Sequence, residues 1–221
     1  MLFDLRSRGR RRTVQVLYIG LAVLIGLGLV GFGVGTGSGG GGIFGAFTNN
    51  GSSNAQSSAI NSETKSAIKQ TQQHPNSASA WASLVTARYS AANSVGFDSN
   101  TNTYSATGKK QLSLAAQAYQ HYLKLAKQPS ADAATLAAHA YGQLGQYTNA
   151  ATAWQVVVAA EPGNLRGLEC TTVTSYAAKN DRVAQLAEAQ ALAKIPKAQR
   201  KTVKSELEAA KTTPSVASQS C

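Results

Sequence analysis

The chain has 221 residues, of which 14% are charged, and its formal net charge at pH 7 is +11. Thirteen of its 20 glycines lie between positions 20 and 51, which excludes a single uniform globular domain. Two cysteines and three histidines exclude a disulfide-built scaffold and leave too few ligands for a Cys/His zinc site.

An apolar segment at residues 14–35 predicts a transmembrane helix. It runs for 22 residues without a charged side chain, which is about 33 Å of helix against roughly 30 Å of bilayer hydrocarbon. Five arginines precede it, and no charge follows until Glu63. The bias of positive charge towards the cytoplasm therefore predicts a cytoplasmic basic segment at 1–13 and an extracytoplasmic chain beyond the span. A cleaved signal peptide is the alternative, but its apolar run is typically shorter.

Glycines in and after this segment allow several interpretations. The spacing from Gly26 to Gly31 matches the dinucleotide motif Gly-x-Gly-x-x-Gly, but no acidic residue follows about 20 positions on, so we reject nucleotide binding. Gly31 and Gly35 have the spacing at which two membrane helices approach closely, and self-association through them stays open. Residues 36–57 are rich in Gly, Ser and Asn and predict a flexible linker.

Residues beyond the linker recur with a 34-residue period. Pro162 and Pro196 are 34 positions apart, which is the period of the tetratricopeptide repeat (TPR). The TPR positions for Tyr, Gly, Tyr, Ala and a large aromatic hold Tyr141, Gly145, Tyr147, Ala150 and Trp154. From 61 to 211 the chain therefore resembles TPR proteins. Its whole layout resembles that of a group of actinobacterial single-pass membrane-anchored TPR proteins.

The period predicts an all-α fold: an N-terminal transmembrane helix followed by a short TPR-type α-solenoid. We expect a TPR-like domain over 58–211 that starts with a single helix at about 63–73. The best-defined pair of helices is predicted at 131–144 and 147–160. A second pair follows at 164–178 and 181–193, although Thr171, Thr172 and Ser175 fit the pattern poorly.

Three further segments complete the predicted domain. The first pair, which begins at Ala78, is interrupted by an insertion at 93–109, a polar loop or small hairpin. A capping helix at 197–211 closes the stack. The tail at 212–221 is expected to be disordered.

The TPR resemblance implies a partner-binding groove lined by the first helix of each pair. Ala82 and Thr86 stand where clamps for C-terminal carboxylates carry Lys and Asn, so that kind of clamp is rejected. Tyr89 and Tyr176 suit contacts with an amphipathic peptide, although a role in packing fits both residues as well. The candidate groove residues are Thr86, Tyr89, Thr135, His139, Arg166, Glu169 and Tyr176.

Motifs for catalysis are absent from the sequence. There is no Gly-x-Ser-x-Gly elbow, phosphate-binding loop or His-Glu-x-x-His, and no two histidines stand four apart. His139 could titrate near neutral pH, but an ordinary groove side chain is the simpler interpretation. We expect no enzymatic activity, no metal and no cofactor.

The capping helix and the two cysteines carry the remaining hypotheses. Lys197, Arg200, Lys201 and Lys204 form a basic face that either meets anionic lipid or envelope polymer, or is simply solvated. Cys170 is expected to pack within its helix while the terminal cysteine stays mobile. A disulfide between them is the alternative in an oxidising compartment.

These features together predict a non-enzymatic, single-pass cell-membrane protein. Its extracytoplasmic TPR domain would bind a protein or peptide partner in secretion or envelope assembly. The alternative is a tether that binds envelope polymer or lipid through the basic cap. We expect no nucleic-acid partner outside the membrane.

Overall fold

A computed structural model of the chain describes residues 53–221, with side chains from Ile60 onward. Contacts group Ser57–Cys221 into one unit. The predicted basic segment, membrane span and Gly31–Gly35 pairing lie outside the described residues, as does most of the linker. Within the described part, no helix is both long enough and apolar enough to cross a membrane.

The described residues form nine α-helices, one two-stranded hairpin and one 3-10 turn, which confirms the all-α class. The predicted pairs at 131–160 and 164–193 agree with the structure to within one residue at each boundary, whereas the first described helix begins inside the predicted linker. The helices are α1 (Ser53–Gln73), α2 (Ala78–Gly96), α3 (Ala106–Leu125), α4 (Ala131–Gln143), α5 (Tyr147–Ala160), α6 (Leu165–Ala177), α7 (Asp181–Ala193), α8 (Arg200–Glu208) and α9 (Ser215–Ser220).

Helix starts repeat at the 34-residue spacing. Ser130 and Asn164 cap α4 and α6, and each side chain accepts a hydrogen bond from the backbone N–H three residues on. Such caps satisfy a donor that the helix itself leaves unpaired. Two helix pairs therefore begin at equivalent points of the sequence.

The turns within these two pairs repeat in the same way. Gly145 and Lys179 both have positive φ, 71° and 60°, and both follow the last turn of a first helix. The N–H of Gln146 donates to the carbonyl of Tyr141, and the N–H of Asn180 donates to that of Ser175. A left-handed residue that ends a helix favours glycine. The second pair keeps this turn with a lysine in its place.

Small side chains occupy the points where helices cross. Ala134, Ala150 and Ala184 are fully buried, and the last two are 34 positions apart. Without bulk between them, the backbones of α4 and α5, and of α6 and α7, pack closely. The aromatic side chains of Tyr119 and Trp154 are also buried in this core.

The insertion in the first pair is a short hairpin, as one of the two predicted alternatives had it. Strand β1 (Phe97–Asp98) pairs antiparallel with β2 (Thr103–Tyr104). At its base Gly96 meets Gly108 so closely that a Cβ on Gly96 would lie 2.3 Å from the Cα of Gly108. The hairpin therefore leaves the stack where the backbones of α2 and α3 touch.

The last two predicted segments differ from the structure. The capping helix begins at Arg200 rather than 197, because residues after Pro196 form turns, and it ends in a 3-10 turn at Ala209–Lys211. The tail at 212–221 is ordered: α9 lies within it, and Ala217 is fully buried. Its composition suggested disorder, but burial of its alanine and cysteine side chains against the domain orders it.

We predict that Ala150→Leu lowers the free energy of unfolding by about 1–3 kcal/mol, because a larger side chain at a filled helix crossing overpacks the core. Ala159 lies exposed on the same helix. Ala159→Leu is therefore the matched control and should leave stability unchanged. Urea unfolding of the full chain in detergent, followed by tryptophan fluorescence, measures both; equal midpoints would contradict the assigned crossing.

Candidate functional site

The first helices of the three pairs contribute to one surface, here called the first-helix face. Its residues are Tyr89 on α2, His139 and Gln143 on α4, and Arg166 and Cys170 on α6. The rings of Tyr89 and His139 lie 6.4 Å apart, and α9 contacts both α4 and α6. The structure thus brings together side chains that are far apart in the sequence.

His139 lies at the middle of this face. Its ring meets the ring of Trp154 edge-on, with the two centroids 5.2 Å apart. Burial lowers the pKa of His139, and the positive charge of Arg166 lowers it further, while the nearby backbone of Cys221 acts in the opposite direction. The neutral imidazole is therefore favoured.

Residues 209–221, here called the C-terminal segment, cover the α4–α6 part of the face. Gln143 Nε2 donates to the carbonyl of Ser218 at 2.7 Å, and Arg166 donates to the carbonyl of Ser220. Both bonds go to main-chain oxygens, so they bind the segment as a polypeptide backbone. The α4–α6 surface thereby holds a peptide that belongs to the same chain.

A disulfide between Cys170 and Cys221 ties the segment to α6. The structure thereby corrects the prediction of two unpaired thiols. The Cα atoms are 5.6 Å apart, within the range that a disulfide spans. The bridge closes a loop with a sequence separation of 51, for which the chain-entropy model gives a stabilisation of about 4 kcal/mol.

The other end of the segment is held by charge and by an aromatic ring. Lys211 Nζ lies 4.3 Å from the ring centroid of Tyr176 and 2.7 Å from Glu208 Oε1. Its hydrogen bond with Glu208 raises the pKa of Lys211 and lowers that of Glu208. Lys179 Nζ donates to the carbonyl of Lys211 at 2.6 Å. Both the side chain and the main chain of Lys211 therefore have partners within the fold.

Tyr176 does not line an open groove, and that prediction is wrong. Its side chain is 1% exposed, and its hydroxyl donates to Glu188 Oε2 at 2.6 Å. Burial, reinforced by the bond to Glu188, raises the pKa of Tyr176 to about 12. Its ring contacts Lys211 of the C-terminal segment and is not open to a separate partner.

Helix α6 explains why the second repeat matched the pattern poorly. Every residue from Cys170 to Ala177 is buried, because α7 packs on the helix from one side and the C-terminal segment from another. The hydroxyls of Thr171, Thr172 and Thr174 donate to carbonyls four residues earlier. Buried hydroxyls are tolerated when they are bonded in this way.

The remaining predicted groove residues lie in different surroundings. Thr86 is exposed one turn before Tyr89, while Thr135 and Glu169 are half-buried. Tyr89 packs against a cluster that includes Tyr104 at the base of the hairpin, and burial raises its pKa. The exposed Thr86 leaves the part of the face on α2 open to solvent at that position.

The basic cap is not one free face. Lys197 precedes α8, and Arg200 Nε donates to the carbonyl of Ile195 at 2.9 Å. Lys204 lies 3.7 Å from the carboxylate of Glu188. Of the four predicted residues, Lys197 and Lys201 are exposed, and within the described part of the chain neither side chain makes a contact of this kind. Among the described residues no group of three His, Cys, Asp or Glu is close enough to hold a metal ion.

Sequence reasoning missed the C-terminal segment as part of the site. A signal was available: the chain has two cysteines, and one lies on a first helix that the TPR pattern aims at the groove. Because the tail was expected to be disordered, its disulfide with Cys170 was kept only as the alternative. No family model, no curated protein and no solved structure matches this chain.

We predict that stability falls as the pH drops below about 6.5, because folding depresses the pKa of His139 and the unfolded chain then binds the extra proton. His139→Gln should flatten this decline. His74→Gln, at an exposed position, should preserve it. Urea unfolding of the full chain between about pH 5 and pH 7.5 measures both; an unchanged slope in the His139 variant would contradict the assignment.

Proposed function

We propose that the chain is a membrane-anchored, extracytoplasmic TPR-type scaffold that binds a protein or peptide partner in secretion or envelope assembly. One observation carries the proposal: the α4–α6 surface holds a polypeptide segment through main-chain carbonyls, with Gln143 and Arg166 as donors. A surface with this chemistry suits peptide binding, because main-chain groups are present in every partner.

The TPR assignment rests on equivalences 34 positions apart. Caps at Ser130 and Asn164 and left-handed turns at Gly145 and Lys179 recur at that spacing. A repeat cannot bury its apolar side alone, so stacked repeats share a core and leave a surface for partners. Repeat architecture supports a scaffold and gives no catalytic role.

Two features support the compartment. The apolar segment at 14–35, with arginines only on its N-terminal side, favours an anchor with the domain outside. The Cys170–Cys221 disulfide is typical of oxidising compartments. The same location is therefore favoured by two unrelated observations.

The part of the first-helix face on α2 is the proposed entry point for a partner. Thr86 and Ser79 are exposed there, and Tyr89 stands beside His139 at the border of the covered part. Aromatic side chains at such borders contribute strongly to binding. A partner that contacts Tyr89 would also lie next to the C-terminal segment.

We predict that a photo-crosslinking amino acid at Thr86, in the full chain in native membranes, forms a discrete crosslinked species. Thr152 is an exposed threonine on α5, a second helix, and serves as the matched control. Crosslinker at Thr152 should give no such species. Equal patterns from both positions, identified by mass spectrometry, would contradict docking on the first-helix face.

Topology has its own prediction. Alkaline phosphatase fused after Gly51 should be active, because the enzyme folds outside the cytoplasm, and a fusion at Thr13 should be inactive. Immunoblotting shows that both fusions are made in equal amount. The reverse pattern of activity would overturn the proposed compartment.

The alternative function, binding of lipid or envelope polymer through the basic cap, has weaker support. Arg200 and Lys204 already have partners within the fold. Lys197 and Lys201 then remain, and two exposed lysines contribute on the order of 1 kcal/mol each at an anionic surface. The scaffold proposal is therefore preferred.

A further inference from the structure

The end of the C-terminal segment is held largely through its main chain and the terminal disulfide. Gln143 and Arg166 donate to the carbonyls of Ser218 and Ser220, and the backbone of Cys221 lies near His139. The side chain of Ala217 is fully buried, and Val216 packs partly against the core. Small side chains fit this surface because the backbone must come close enough for Gln143 and Arg166 to reach it.

The disulfide is the strongest tie in this interface. Cys170 is 0% exposed, whereas Cys221 is 8% exposed. The remaining contacts are hydrogen bonds, the contact of Lys211 with the Tyr176 ring and the burial of a few small side chains, and each of these is individually weak. Once the disulfide is opened, the segment is a short polar peptide tethered to the domain.

We propose that the α4–α6 part of the first-helix face is a binding site for small-residue peptides, occupied by the C-terminal segment, and that the Cys170–Cys221 disulfide must be reduced before another peptide enters. This inference rests on the proposed scaffold function. It makes the partner class an alanine- and serine-rich segment, and it places access to that site under redox control.

The reductant is a dithiol, and its exchange with the disulfide is balanced. A thiolate of the dithiol attacks Sγ of Cys221, the more exposed cysteine, and Cys170 leaves as a thiolate. The second sulfur of the dithiol, as a thiolate, then attacks the first in the mixed disulfide, and Cys221 leaves as a thiolate. Two electrons pass from the dithiol to the protein, the two protons that the dithiol loses go to Cys170 and Cys221, and the dithiol becomes a disulfide.

The release of the segment can be measured without any partner. Full chain in detergent is compared by hydrogen exchange before and after treatment with dithiothreitol. Reduction should speed exchange of the amides at 215–221 by about tenfold or more, since local opening is then no longer covalently prevented. Cys221→Ser should exchange fast with or without the reductant. Equal protection of the oxidised and reduced parent would overturn the latch.

Peptide entry is tested with a fluorescein-labelled synthetic peptide of residues 212–220, which lacks the cysteine. A tethered segment competes at an effective concentration in the millimolar range, so the segment must first be expelled. Ala217→Glu combined with Cys221→Ser introduces a charge at a buried position and removes the disulfide. Gln219→Glu combined with Cys221→Ser adds the same charge at an exposed position of the same helix, removes the same disulfide and is the matched control.

The Ala217→Glu/Cys221→Ser variant should bind the peptide about tenfold or more tightly than either the oxidised parent or the Gln219→Glu/Cys221→Ser control, as measured by fluorescence anisotropy. A peptide carrying the Ala217→Glu change should not bind. Protection of α4 and α5 amides shows that the Ala217→Glu/Cys221→Ser variant is folded. Where it is not, Cys221→Ser alone is compared with the oxidised parent, and its gain in binding is smaller because the tethered segment still competes. No gain in binding with a folded domain would overturn the peptide site, whereas crosslinking at Thr86 tests the scaffold proposal separately.

Discussion

Close helix crossings at alanine are the constraint on which the rest of this structure depends. Ala150 and Ala184 are fully buried where α5 and α7 meet their partners, so each pair is thin and the next pair can stack directly on it. Stacking brings the first helices into one surface. It also gives Tyr89 and His139, fifty positions apart in the sequence, a shared environment.

The C-terminal segment adds a second layer over one end of this stack. Together with α5 and α7 it encloses α6, whose threonines are buried and bond to their own backbone. The terminal pair of a repeat protein normally needs a polar outer side. Here α8 and the segment that follows it supply that side, and they do so by folding back onto the first helices.

Much of the fold could be predicted from the sequence, because the repeat pattern depends on residues that lie close together along the chain. Proline, glycine and alanine at regular spacing predicted the pairs α4–α5 and α6–α7 to within one residue at each boundary. The polar insertion is the hairpin, one of the two forms expected for it. The site was harder. Tyr89 and His139 came from the pattern, but the order of 212–221 depends on a long-range disulfide and on burial of Ala217, neither of which leaves a local signal.

The meeting of Gly96 with Gly108 separates the hairpin from the stack that carries it. The two backbones touch where α2 ends and α3 begins, so close that a side chain at Gly96 would not fit there. Residues 99–102 at the tip of the hairpin lie outside this contact. The tip is therefore a place where the chain can vary in length and chemistry while the helices beneath keep their geometry.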